Sequence, residues 1–266
     1  MTIMGVSVDI ITRTLSIPAE KMREIVDACH EAYLKKDISK RDLQSLLGRL
    51  LYISKIIKPA RGFLNRLLEG LRSMGNSSSL HINEDLRKDM LWFRTFCDSF
   101  NGHTTFANWA GHHNVEVHID ASLRGLGAVW DQAFYSVSLP TYVQHQKRIV
   151  VFEMVNILIA LKTWVNLWVN KRVLVWCDNR AVVDIMGKNK TKDRELGAIL
   201  REILMNQAIN NIQLQVKHVR GESNPVADAL SRVHMSKSVQ CRAKLLAQGY
   251  REYTVPNSMF TLSMEL

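Results

Sequence analysis

The chain has 266 residues, 47% of them hydrophobic and 23% charged, a globular composition that suffices for one large domain or two modest ones. Its net charge of +10 and pI near 9.6 point to a polyanionic partner, nucleic acid foremost. The cysteines Cys29, Cys97, Cys177 and Cys241 lack C-x-x-C spacing, which excludes a zinc-ligand pattern and a disulfide framework and fits a reducing intracellular compartment, cytoplasmic or nuclear.

Residues 1–15 alternate weakly and read as short strands. Ser16 with Pro18 predicts a helix start, with the helix running from Lys21 to Lys35. Ser39 lies three residues before Asp42, a capping arrangement. Leu43, Leu46, Leu47, Leu50, Leu51, Ser54 and Ile57 follow at helical spacing, and Pro59 ends the run. A third, basic helix is expected from Arg61 to Leu71. The polar stretch Met74 to Ser79 (MGNSSS) reads as a linker. Asn83 then caps an amphipathic helix to Phe100, whose stripe of Trp92, Phe93, Phe96 and Phe100 reads as packing surface.

From Val115 the pattern changes. VEVHID, LGAVW and AFYSVSL read as strands joined by short turns. The longest apolar-rich stretch, Ile149 to Val169, is interrupted by Glu153, Asn156, Lys162, Thr163 and Asn166. It reads as a core helix, and membrane insertion is not expected, there being no N-terminal signal pattern either. RVLVWCD is a strand, Arg180 to Met186 a helix, GKNKTK a lysine-rich loop, Glu195 to Ala208 a helix, IQLQVKHV a strand, and Pro225 opens a last helix. The result is a mixed α/β layout with a five-stranded sheet. The tail after Met235 is basic, then apolar, and receives no element. These readings divide the chain into 1–75, a helical segment; 76–110, linker and amphipathic helix; 111–235, the α/β domain; and 236–266, the tail.

Four acids fall where strands end or helices begin. Asp120 follows the alternating Val115, Val117 and Ile119; Glu153 lies early in the long helix; Asp178 ends RVLVWCD; Asp228 follows Asn224 and Pro225. Each alone is an ordinary turn former, helix residue or cap. Together they converge on one edge of an α/β sheet. Four clustered carboxylates need a counter-charge, which hard divalent cations such as magnesium supply while leaving room for substrate phosphates.

HIDAS, FEMVNILIAL, WCDN and HVRGESNPVADALSR resemble the motif blocks of the ribonuclease H domain of reverse transcriptases, over Val115 to Val233. The upstream GVSVDIITRTLSIPAEK, RDLQSLLGRLLYISKIIKPARGFLNRLL and LRKDMLWFRTF resemble the thumb and connection that follow a polymerase palm. The pairing is most similar to DIRS-like and gypsy-like retrotransposons. The resemblance implies a ribonuclease H-like fold behind a mainly helical thumb/connection-like segment. It implies an endonuclease that cuts the RNA strand of an RNA–DNA hybrid with two magnesium ions, manganese being an alternative. Asp120 would bridge both ions, Asp228 would hold the one that activates water, and Glu153 and Asp178 the one near the leaving oxygen. His218 would sit on a mobile loop and assist proton handling or product release. Ser122, Arg124, Asn179, Arg180 and Asn224 are the candidate substrate contacts. Lys188, Lys190 and Lys192, with Arg61 and Arg66, are candidates for gripping phosphates.

Two departures bear on activity. The chain holds no Y-x-D-D polymerase signature, which suggests a fragment working with a polymerase-bearing chain. The RNA-reading amide usual just before the helix glutamate is replaced by the apolar Ile149-Val150-Val151-Phe152. A catalytically weak or inactive nucleic-acid-binding module is therefore the alternative. An integrase- or resolvase-type DNA nuclease is a third reading, opposed by the spacing of His218 and Asp228.

Overall fold

A computed structural model describes residues 2–3, 6–11, 14–99, 103–105, 115–144 and 148–260. The chain divides into two compact units, Met1–Gly111 with Gln207–Asn211, and His112–Asn206 with Ile212–Leu266. The 1–75 and 76–110 segments thus fall in the first unit, and the residues from 112 onward, apart from Gln207–Asn211, in the second.

The first 105 residues contain β1 (Thr2–Ile3), β2 (Val6–Asp9), β3 (Thr14–Ser16), α1 (Ala19–Leu34), β4 (Asp37–Ser39), α2 (Lys40–Ile56), a 3-10 segment (Lys58–Leu64), α3 (Asn65–Ser73), β5 (Ser79–His81), α4 (Glu84–Ser99) and β6 (His103–Thr105). Ser16 does not cap the first helix. It is the last residue of β3, paired with Ser7 and His103, and α1 starts behind Pro18 without a side-chain cap. Ser39 does cap: its hydroxyl accepts from the Asp42 amide at 3.1 Å, an interaction typically worth about 1 kcal/mol. Of the expected stripe Leu43, Leu46, Leu47, Leu50, Ser54 and Ile57 are buried, but Leu51 is 38% exposed, and Ile53 takes the inward position instead. The basic helix expected from Arg61 begins instead as a 3-10 segment around Pro59, and regular α-helix starts only at Asn65. MGNSSS is a turn leading into β5, which pairs with β4. Trp92 stacks on Phe63 with ring centroids 3.5 Å apart and Phe93 meets the same ring edge-on, so this stripe is packing surface. Phe96 and Phe100 lie outside the described side chains.

The later elements are β7 (Val115–Ala121), β8 (Gly125–Trp130), β9 (Ala133–Ser138), α5 (Thr141–Gln144), α6 (Ile149–Trp168), β10 (Arg172–Cys177), α7 (Arg180–Lys188), α8 (Arg194–Ile209), β11 (Gln213–His218), a 3-10 turn (Gly221–Ser223), α9 (Pro225–Ser231), α10 (Ser236–Ala247) and β12 (Arg251–Glu252). The strands form one mixed sheet in the order β11-β10-β7-β8-β9-β12. Among the described residues it therefore has six strands, not five. The unassigned tail supplies the sixth, because α10 carries the chain to Arg251, which pairs in parallel with Ala133. The β8–β9 hairpin turns at Asp131, whose φ of +50° suits the tight connection.

Among the residues of α6, Phe152, Leu158, Trp164 and Trp168 are fully buried, each contributing about 1.5–3 kcal/mol of apolar burial. By length and composition α6 would also cross a membrane, yet 67% of its apolar window is buried inside the protein, as in a core helix. Its Asn156 is 0% exposed and joins helix to sheet. The amide donates to the Asp120 carbonyl at 2.8 Å and the Gly127 carbonyl at 3.0 Å, while Tyr135 donates to its oxygen at 2.6 Å. Glu153, one turn earlier, is thereby held against the end of β7.

Candidate active site

Strand register builds the site. β7 and β10 run parallel, with Val173 opposite Val115 and Trp176 opposite His118. Carried two residues further, that offset brings Asp178, just past the end of β10, level with Asp120 in the last pleat of β7, at the carboxyl ends of both strands where α/β sheets bind ligands. On the next strand His218 pairs with Cys177. His218 is thus the last residue of β11 rather than part of a loop, because the parallel ladder continues through it and the Val219 amide still bonds the Cys177 carbonyl at 3.0 Å.

Asp120 is 6% exposed and accepts a hydrogen bond from the Ser231 hydroxyl. Burial raises its pKa to about 6, the Ser231 hydrogen bond opposes the rise, and the charges of Asp178 and Asp228 add to it. Glu153 is 2% exposed; it accepts from the Ala121 amide at 3.1 Å and from the Cys177 thiol at 3.7 Å. Burial, with the charges of Asp120 and Asp178, pushes its pKa well above the usual carboxylate range. Asp228 is the opposite case. Arg232 donates to its Oδ1 from Nε at 2.7 Å, and Lys237 reaches its Oδ2 at 3.3 Å. The Arg232 hydrogen bond leads in holding its carboxyl below the usual range.

Not all four expected acids close on one point. Glu153, Cys177 and Asp178 have ligand atoms within 4.8 Å of one another. Asp120 and Asp228 belong to the same electrostatic cluster, but Oδ2 of Asp120 is engaged by Ser231 and both Asp228 oxygens by Arg232 and Lys237. The Cys177 thiol, its pKa raised by burial, stays a hydrogen-bond donor to Glu153, while the carboxylates offer the oxygen donors a hard divalent cation takes. Two buried carboxylates driven toward their neutral forms are what such a charge would relieve. Sequence reasoning missed Cys177 and Ser231. The alternation Val173, Val175, Cys177 marks the thiol as inward-facing, and Ser231 lies three residues after Asp228 on α9.

The expected substrate contacts divide. Arg124 and Arg180 are exposed. Asn179 accepts from the Ala181 amide at 3.0 Å and caps α7. Ser122 donates to the Ser231 carbonyl at 2.8 Å and accepts from the Gly125 amide at 3.0 Å, which makes it a turn-forming staple. Asn224 is 2% exposed and does not cap α9 with its side chain. Its amide donates to the Ile119 carbonyl at 2.8 Å and its oxygen meets His118 at 3.2 Å, so it fixes the loop to β7. Arg61 is exposed, whereas Arg66 pairs with Asp85 at 3.2 Å and Asp89 at 3.7 Å. Lys188 pairs along its helix with Asp184, and Lys192 is exposed while Lys190 is half-buried. At the start of α6, Ile149 is 40% exposed but Val151 and Phe152 are fully buried.

The raised pKa of Asp120 sets a pH dependence. The folded protein holds the proton to about pH 6 and the unfolded chain only to about pH 4. The stability from this group is therefore complete below about pH 4 and is lost as pH rises through about 6, roughly 3 kcal/mol in all. Melting curves of metal-free protein are expected to drop across this window relative to Asp120→Asn. Parallel curves for the two proteins would show that Asp120 titrates normally.

Residues 131–234 match the family model described as reverse transcriptase-like. No curated protein matches the chain. Among solved structures, the chain is similar to a foamy viral protease–reverse transcriptase in complex with an RNA/DNA hybrid, at 10% identity and a TM-score of 0.33 over 82% of this chain and 29% of that one. It is also similar to the foamy viral enzyme in complex with double-stranded DNA, at 11% identity and a TM-score of 0.34 over 83% of this chain and 44% of that one. The chain thus spans less than half the length of either. At such scores the fold and site described above stand on this chain's own geometry.

Proposed function

We propose that residues 115–233 form a metal-dependent endoribonuclease of the ribonuclease H type, cutting the RNA strand of RNA–DNA hybrids. The observation that carries this reading is the buried pair Asp120 and Glu153 beside Asp178 at the carboxyl ends of β7 and β10, both pushed toward neutrality first by burial and then by neighbouring carboxylate charge. The reverse transcriptase-like match over 131–234 supports the same class. The motif blocks support a DIRS-like or gypsy-like retrotransposon reverse transcriptase, acting inside the cell beside a polymerase-bearing chain.

Asp120, Glu153, Asp178 and Asp228 would hold two divalent ions, magnesium or manganese. Such ions supply an activated water and neutralise charge at phosphorus during an in-line displacement. Asn156 and Ser231 fix Asp120 by its carbonyl and carboxylate, and the Ala121 amide fixes Glu153. His218 would hand a proton from an imidazole nitrogen to the departing 3′-oxygen. Arg124 and Arg180, both exposed beside the acids, would hold backbone phosphates.

The second reading, a weak or inactive binding module, is favoured by the burial of Val151 and Phe152 where an RNA-reading amide is usual. A substrate panel separates the two. The nuclease reading predicts cleavage of hybrid but of neither duplex DNA nor duplex RNA. The binding-module reading predicts salt-sensitive hybrid binding with no product. Cleavage of duplex DNA would instead revive the integrase-like assignment.

A further inference from the structure

Two cations from separate helical elements converge on one carboxylate at the rim of the acid cluster. Arg232, just past the end of α9, uses Nε at 2.7 Å and a terminal nitrogen at 2.6 Å on Asp228 Oδ1. Lys237, at the start of α10, takes Oδ2 at 3.3 Å. Both carboxylate oxygens are therefore engaged by cations belonging to the chain itself. Arg232 also feels the charges of Asp120 and Asp178.

An i,i+4 pair such as Asp228–Arg232 is ordinary on a helix surface. A second cation arriving from the next helix on the opposite oxygen is not explained by helix geometry. A divalent ion competing for the same lone pairs would meet two like charges within a few ångströms. The arrangement is easily released: the Arg232 and Lys237 side chains are 44% and 60% exposed, and pairs this open to water are weak. Once released, both flexible stems remain at the mouth of the site, and a guanidinium there suits a phosphate.

We propose that Arg232 and Lys237 are place-holders for the metal at Asp228, and that the ion's arrival frees them to grip the phosphate backbone of the nucleic acid. The proposal rests on the reading of the acid cluster as a divalent-ion site. It assigns a part to the tail: α10 brings Lys237 to the site.

The two roles give effects of opposite sign, which a merely structural pair would not. The test uses the full chain, with manganese binding followed by electron paramagnetic resonance. Hybrid binding is followed by fluorescence anisotropy in calcium, without turnover. Lys237→Gln and Arg232→Gln are each expected to raise manganese affinity at least about threefold, the loss of one weak competing pair. The same variants are expected to weaken hybrid binding and lower the salt slope by about one. Lys244→Gln, an exposed lysine further along α10, controls for loss of charge alone and should leave manganese affinity unchanged. Lys237→Gln covers the case in which Arg232→Gln fails to fold. Manganese affinity that is unchanged or lower in Lys237→Gln, or hybrid binding that is unaffected, would overturn the place-holder role while leaving the metal site standing. A wild-type chain that binds no manganese would remove both.

Discussion

Asp120→Asn is expected to abolish hybrid cleavage, a loss on the order of 10³-fold or more if a metal site worth several kcal/mol is broken. The reason is specific to this position. Asp120 is buried at the end of β7, its carbonyl is held by Asn156 and its carboxylate by Ser231, so the side chain has little freedom to be replaced by a neighbour. Asparagine keeps the shape and an acceptor for the Ser231 hydroxyl but cannot supply the negative charge an ion needs. The fold is expected to survive, because a buried charge repelled by Asp178 and Asp228 has been removed. Steady-state cleavage and thermal melting above pH 6 check the two halves together. An active Asp120→Asn protein would show that Asp120 is not a metal ligand; an inactive but unfolded one would make the loss structural.

Gly127→Ala is expected to be the most damaging change that touches no acid. A Cβ at this position of β8 would lie 2.5 Å from the Ser231 amide nitrogen, 2.6 Å from Leu230 Cβ and 2.7 Å from the Ala227 carbonyl. Most of these atoms are backbone and cannot rotate aside, so α9 must lift from the sheet, taking Asp228 and Ser231 with it. Overpacking of this kind costs about 3 kcal/mol, which for a chain of this size lowers the melting temperature by on the order of 10 °C. Activity is expected to fall further than stability, since both site residues on α9 move. Gly48→Ala, with nothing within 4 Å of the added Cβ on α2, is the matched control and should be neutral or slightly stabilising. Equal melting temperatures for Gly127→Ala and wild type would contradict the close approach of α9.

What the sequence revealed depended on whether a residue's neighbours were local. Asp120 and Asp178 were legible because each follows an alternating apolar strand, Val115-Val117-Ile119 and Val173-Val175-Cys177, whose period fixes both the fold and the strand end. Ser39 was legible as a cap because its partner is three residues away. Ser16 misled for the same reason in reverse: its local pattern suits a cap, but pairing with Ser7 and His103 draws it into β3.

The site's finer structure was not legible because its contacts are long-range. Ser231 reaches Asp120 across 111 positions, and Asn224 reaches Ile119 across 105. No spacing rule separates such an asparagine from one that meets substrate. The sixth strand is two residues long, too short for any alternation, and forms only where α10 delivers Arg251 to Ala133. The contact of Lys237 with Asp228 follows from the turn after α9, closed by the Met235 amide on the Arg232 carbonyl at 2.8 Å. A basic tail read alone gives no hint of it.

The most direct test of the proposed function is cleavage by the full chain of a hybrid carrying separate end labels on its RNA and DNA strands, in magnesium and in manganese. The reading of Asp120, Glu153, Asp178 and Asp228 as a ribonuclease H site predicts RNA fragments with 5′-phosphate and 3′-hydroxyl ends, an intact DNA strand, and no product from Asp120→Asn. An uncut RNA strand across the full range of both metals, with the chain folded, would contradict it.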